Sequence, residues 1–154
     1  MIREARGDLL VADVDALVNP VNTVGVMGKG LALQFKRAYP QMFTDYARAA
    51  AAGELTVGRM HVWAIRAAAG PRFIVNFPTK RHWRGRSRLE DIAAGLEGLA
   101  QVIEQHGITS IAVPPLGCGL GGLDWPVVRP LIEAALGDLD CVVQLYPPPE
   151  KRSR

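Results

Sequence analysis

Residues Asn19-Pro-Val-Asn22-Thr23-Val-Gly25-Val-Met27-Gly28-Lys-Gly30 decide how this chain is read. Before them runs an apolar, strand-like Asp15-Ala-Leu-Val18. Behind them Leu31, Ala32, Phe35 and Ala38 recur at helical spacing. A strand that ends in a glycine loop opening a helix is where α/β proteins hold phosphate and ribose. Glycine lets the backbone come close, and a helix N-terminus presents free N–H groups to an anion. Asparagine side chains both donate to and accept from sugar hydroxyls. The stretch therefore implies a nucleotide ligand.

A second loop, Pro114-Pro-Leu116-Gly117-Cys118-Gly119-Leu120-Gly121-Gly122, repeats that logic after the strand candidate Ser110–Val113. Successive backbone N–H groups in such a loop form an anion-binding nest suited to a diphosphate. Neither loop is a P-loop: Gly25-Val-Met-Gly28-Lys29-Gly30 is too short, and no Ser or Thr follows to hold magnesium. Neither opens a dinucleotide-binding unit with a downstream acid. These departures argue against ATP hydrolysis and NAD redox. His61, His82, His106 and the two cysteines show no metal-ligand spacing, so no metal or other cofactor is expected. His61 alternates with apolar neighbours and reads as structural.

At 154 residues, 49% hydrophobic and 21% charged, the chain has the size and composition of one globular domain. No apolar run is long enough to span a membrane, and Met1-Ile-Arg-Glu lacks a secretory h-region. Cys118 and Cys141 read as reduced thiols, giving an expectation of a cytoplasmic, monomeric protein with no membrane partner. The net charge of +3 is unevenly spread. Lys80-Arg-His82-Trp83-Arg84-Gly-Arg86-Ser-Arg88 packs five cations and two rings into nine residues, and Lys151-Arg-Ser-Arg154 follows Pro147-Pro-Pro149. The expected organisation is a domain over 1–146 and a proline-rich basic tail over 147–154, the start of a linker to a further region.

The periodicity predicts strands at Asp8–Val11, Asp15–Val18, Arg59–Ile65, Arg72–Phe77, Ser110–Val113 and Cys141–Tyr146. It predicts helices at Gly30–Tyr39, Gln41–Ala52, Leu89–His106 and Trp125–Leu136. Ser87-x-x-Glu90 reads as a capping box for the third, and Asp124 as the N-cap of the fourth, with Pro126 in its first turn. Alternating elements with near-continuous apolar strands give a three-layer α/β/α sandwich around a central mixed sheet. Ligands in such sheets sit outside the strand ends, where the loops at 19–30, 78–88 and 114–123 all fall.

The basic loop suits nucleic acid on its own physics: arginines meet phosphates, and Trp83 offers a face to an unpaired base. Lys80 sits at the end of a buried-looking strand. Cations at 81, 84, 86 and 88 would lower its pKa, and a bound diphosphate would raise it. A neutral lysine serves as nucleophile or base; by the residues alone, a solvated lysine in a basic loop is the better reading.

Gly7-Asp8-Leu9, Asp15-Ala-Leu-Val-Asn19-Pro-Val-Asn22 and the two glycine loops resemble the macro domain, an ADP-ribose-binding α/β/α fold, over nearly the whole chain. The motifs Asn22–Lys36, Asn76-Phe-Pro-Thr-Lys80-Arg-His-Trp-Arg84 and Gly117–Trp125 are similar to its DarG branch, bacterial antitoxins that remove ADP-ribose from thymine bases in DNA. The resemblance implies that Lys80 is catalytic, and that Asp8 accepts a hydrogen bond from the adenine amino group with Leu9 beside it. It implies that Asn22 bonds the distal ribose while Asn19 braces the loop. Thr23, Gly25, Gly28 and Gly30 would wrap that ribose with Met27 over it. Leu116, Gly117, Cys118, Gly119, Leu120 and Gly121 would cradle the diphosphate, with Tyr146 near the adenine. His82, Trp83 and Arg84 would engage single-stranded DNA. Related ester-cleaving hydrolases carry an aspartate in the second loop; the matching position here is Gly121. The resemblance also implies an ADP-ribosyltransferase toxin as counterpart. Hydrolysis of ADP-ribosyl esters on proteins and non-catalytic ADP-ribose binding are the alternatives.

Overall fold

The computed structural model describes residues 1–149. Its strands are β1 (Ile2–Glu4), β2 (Ala16–Asn22), β3 (His61–Ala64), β4 (Phe73–Lys80), β5 (Ser110–Val113) and β6 (Val142–Leu145). They form one sheet in the order β1-β6-β5-β2-β4-β3, parallel throughout except for β3, which runs antiparallel to β4. Helices α1 (Gly30–Ala38) and α2 (Pro40–Ala51) cover one face; α3 (Leu89–Gln105) and α4 (Trp125–Leu136) cover the other. No helix among the described residues is long and apolar enough to cross a membrane.

Period-two alternation builds both layers from the same strands. On β2, Ala16 and Val18 enter the core under α3 and α4, while Leu17 and Val21 enter the core under α1 and α2. On β4, Val75 and Phe77 face the first core and Ile74 faces the second. With both faces covered, the strands can be apolar at nearly every position, which is why they were legible as continuous runs.

The crevice follows from the winding. The chain leaves β2 for α1 on one face and leaves β5 for α4 on the other, so a gap opens beyond these neighbouring strand ends. β2 pairs with β5 only at Ala16 and Leu17, but with β4 as far as Asn22. The far halves of β2 and β4 therefore run on as a ribbon that carries Asn22 and Lys80 to the rim.

Three sequence expectations change. Asp8–Val11 is not a strand: Leu9–Val11 is a 3-10 turn, with Asp8 as its cap accepting from the Leu10 N–H. The first strand is the earlier Ile2–Glu4, too short to show alternation and recognisable only by its parallel pairing with β6. Finally, α3 starts after Arg88, with no side-chain cap, so Ser87 is not its N-cap. Asp124 does occupy the cap position of α4, without a side-chain bond. The basic cluster at 151–154 lies outside the described residues.

Candidate active site

The first glycine loop rests on α2. Gly25 has φ +90°, and a Cβ there would come to 3.0 Å from the Ala50 Cβ, so only glycine lets the loop lie this close. Asn22 is 5% exposed and spends its side chain inside the loop. Its Oδ1 accepts from the Val24 and Val26 N–H groups at 3.1 and 3.3 Å and from the Tyr46 hydroxyl at 2.9 Å; its Nδ2 donates to the Val26 carbonyl at 2.8 Å. One amide hydrogen remains for a ligand, so Asn22 is first a brace. Met27 is 1% exposed, its sulfur 3.8 Å from Asn19 Nδ2. Thr23 ties the loop to the next one, its N–H and hydroxyl both donating to the Arg81 carbonyl at 3.3 and 2.7 Å. Gly28 and Gly30 are exposed at the mouth.

The second loop is held by backbone bonds and packing. The Leu123 N–H donates to the Gly117 carbonyl at 2.9 Å and the Gly122 N–H to that of Gly119 at 3.1 Å. Gly117, at φ +76°, has Leu123 and Ile92 where a side chain would go. Leu116 is fully buried in the α3–α4 core and offers a ligand only its backbone. The half-buried Cys118 thiol is pushed up in pKa by burial and then by Asp124. Gly119 and Leu120 are exposed, and a Leu120 methyl lies 3.6 Å from the point where a Cβ on Gly30 would sit, so the two glycine loops meet across the crevice. Gly121 is buried, and a Cβ there would overlap the Ser87 hydroxyl. Ser87 instead donates its N–H to the Gly121 carbonyl at 3.0 Å, and its own buried hydroxyl has no partner. Position 121 has no room for an acidic side chain.

At the other end the crevice widens to about 500 Å³ between Asp8, Leu9, Leu31, Pro114 and Tyr146. Asp8 Oδ1 is taken by the Leu10 N–H at 3.0 Å. Tyr146 is 9% exposed, and its phenol is raised in pKa by burial and then by the Asp8 carboxylate. Pro147, Pro148 and Pro149 line the same space.

Lys80 ends β4 beside the first loop. Asn22 pairs with Lys80 although Val21 pairs with Pro78, so Thr79 is an extra residue, a bulge that re-aims the strand end. The Lys80 amine donates to the Trp83 carbonyl at 3.0 Å. Its pKa is lowered, chiefly by burial and then by Lys29 of the first loop. Of the arginines expected to do this, Arg81 reaches Asp91 of α3 at 3.6 Å, and the Arg84 guanidinium lies 4.4 Å from the Trp83 ring centroid. His82 stacks on Trp83 at 5.4 Å, so the exposed indole is already packed against two neighbours.

Beneath the first loop lies a polar set that the sequence reading did not assemble. Asn19 Nδ2 donates to Asn76 Oδ1 at 3.0 Å, Asn76 Nδ2 meets His61 Nδ1 at 2.9 Å, and His61 Nε2 meets Asp45 Oδ2 at 2.8 Å. The available signal was a histidine and two asparagines inside otherwise apolar strands, where unpaired polar groups are costly.

Two glycine loops meeting over a crevice at the carboxyl ends of parallel strands, with an amine beside the first, mark the chain as a three-layer α/β/α domain with its site at the strand ends. The chain belongs to the Macro domain family, whose profile matches residues 18–132. It is 55% identical over 151 residues to the DNA ADP-ribosyl glycohydrolase of Mycobacterium tuberculosis, covering 96% of this chain and 42% of that protein. Its fold superposes on the macrodomain of Mycobacterium tuberculosis DarG with a TM-score of 0.95 and 54% identity, over 97% of this chain and 99% of the other. Thermosipho africanus DarTG in complex with ADP-ribose gives 0.92 and 37% identity, over 99% of this chain and 43% of that one. The chain thus spans about two fifths of the length of the curated relative.

Proposed function

We propose that this domain is a DNA ADP-ribosyl glycohydrolase that removes ADP-ribose from thymine bases of single-stranded DNA, acting as antitoxin to a DNA ADP-ribosyltransferase. The observation that carries the reading is Lys80: an amine lowered in pKa by burial and then by Lys29, set by a strand bulge beside the first glycine loop. A neutral amine can attack the anomeric carbon or take a proton from water, and both need the deprotonated form that burial favours. The similarity to the DNA ADP-ribosyl glycohydrolase of Mycobacterium tuberculosis supports ADP-ribosylated DNA as the substrate class.

In this reading the second loop cradles the diphosphate through backbone N–H groups, and the first shapes the pocket for the distal ribose. Asp8 and Tyr146 hold the adenine. The domain boundary moves with it, since Pro147–Pro149 counts as pocket wall and the tail begins after them. Arg84 and Trp83 take the DNA strand, an unpaired base displacing one of the groups now stacked on the indole.

Incubation with an oligonucleotide ADP-ribosylated on thymine, following free ADP-ribose, tests the reading. Lys80→Ala should slow release by about 100-fold or more, the scale of a lost acid–base or nucleophilic group, while ADP-ribose still binds. Full activity in that variant removes Lys80 from the chemistry. Faster release from a modified glutamyl peptide than from DNA would replace the substrate.

A further inference from the structure

The polar chain from Asp45 to Asn19 has no place in the chemistry proposed above, yet it runs through the centre of the molecule to the floor of the first glycine loop. Its hydrogen-bond directions follow from the orientation of the Asn76 amide. Asn76 Oδ1 is occupied by the Asn19 amide, so the Asn76 amide nitrogen is the group that faces His61 Nδ1. Nδ1 must therefore accept, the ring proton sits on Nε2, and it donates to Asp45. At the inner end Asn19 is fully buried, its Oδ1 has no partner, and its Nδ2 also touches the Met27 sulfur. Asn19 lies three residues before Asn22 on β2, and Asn76 four before Lys80 on β4.

We infer that His61 is a positioning residue for the ligand-binding loop: in its neutral form it orients Asn76 and Asn19 beneath Met27, and on gaining a second proton it unseats them. The charged and titratable groups facing the ring are few. From α2 come the Asp45 carboxylate, with Arg48 bonded to its other side, and the Tyr46 phenol, edge-on at 6.2 Å; from β4 comes the neutral Asn76. Asp45 is held below the usual carboxylate range because its bonds to His61 and Arg48 outweigh burial, so it stays charged and welcomes the imidazolium. The opposite side of the ring does not. A protonated Nδ1 points its hydrogen at the Asn76 amide donor, and two donors cannot share one bond.

Relief requires Asn76 to rotate, which turns its nitrogen toward the Asn19 nitrogen, and Asn19 must then rotate too. The buried end of the chain thereby changes from an unpartnered carbonyl to an unpartnered NH2, and the Met27 sulfur faces the Asn19 oxygen in place of its nitrogen. Tyr46 offers a second route to the loop, because it packs against His61 and bonds Asn22. Acidification should therefore loosen the first glycine loop and leave the second unchanged.

The consequence for ligand affinity rests on the ADP-ribose reading, but the loop behaviour does not, so hydrogen exchange is the primary measurement. Protection of the Val24 and Val26 amides, which bond Asn22 Oδ1, is followed from pH 8 to pH 5 in the wild-type protein, in His61→Gln and in Asp45→Asn. An orphaned buried donor predicts at least about a fivefold loss of protection in the wild type on acidification. His61→Gln, which can hold both neighbours without titrating, should stay flat. Asp45→Asn should shift the wild-type transition to lower pH, since the imidazolium loses its counter-charge. Equal pH dependence in wild type and His61→Gln, or parallel loosening of the Leu123 and Gly122 amides of the second loop, would overturn the inference. ADP-ribose titrations run alongside separate the two ideas. A pH-dependent loop in a protein that binds no ADP-ribose upholds the relay and removes the ligand.

Discussion

The two glycine loops look alike in sequence and are held by opposite means. The first is fastened by side chains: Tyr46 from α2 bonds Asn22, Thr23 bonds the Arg81 carbonyl, and Asn19 and Met27 fill the floor. The second is fastened by its own backbone and by close packing: Gly117 against Leu123 and Ile92, and Gly121 against Ser87. A loop held by polar side chains can be loosened one bond at a time, or by a proton. A loop held by close packing at Gly117 and Gly121 tolerates no added atom there but has little that a change in solution could switch. Under the proposed function the contrast would divide the labour, with the second loop as the diphosphate seat and the first adapting around the ribose.

The largest effect should come from Gly117→Ala. It imposes a positive φ on a residue with a side chain and pushes a methyl into Leu123, for a loss of about 3 kcal/mol of unfolding free energy in urea titration. An unchanged midpoint would show that the second loop is not packing-limited. Tyr46→Phe is the corresponding lesion in the first loop. It leaves the buried Asn22 acceptors short of a donor and should cost about 1–3 kcal/mol by the same titration, with weaker ADP-ribose binding by calorimetry. Loss of stability with unaltered affinity would mean that the brace serves only the fold. The smallest change is Ser87→Ala, which removes an unpartnered buried hydroxyl and should leave stability unchanged or raise it by up to about 1 kcal/mol. A clear loss would show that Ser87 has a hydrogen-bond partner, and the contrast between the loops would narrow.

Much of this was readable from the chain, for identifiable reasons. Helices α1 to α4 fall within a residue of their expected ends because each buries one periodic face between the two cores. Both glycine loops were found because their punctuation is local. What escaped was set by distant partners. Ile2–Glu4 is a strand only because β6 is there to pair with it, and Leu9 turns inward because Asp8 caps a 3-10 turn. Asn22 and Met27 were assigned to the ligand by their motif. Neither residue announces that a tyrosine from α2 bonds the asparagine's oxygen, or that the methionine is buried in the core under α1 and α2. The cation that perturbs Lys80 was sought among its neighbours in sequence; the one that acts, Lys29, comes from the facing loop.

Thr79, the extra residue of β4, sets the parity of that strand's end. Side chains on a strand alternate between two sides, so an insertion or a deletion of one residue exchanges them all. Here a single surplus residue between Pro78 and Lys80 decides on which side of the ribbon the amine emerges. The direction of the Lys80 side chain thus depends on an odd or even count. Removing Thr79 would delete nothing reactive, yet it would move the Lys80 amine to the other side of the ribbon.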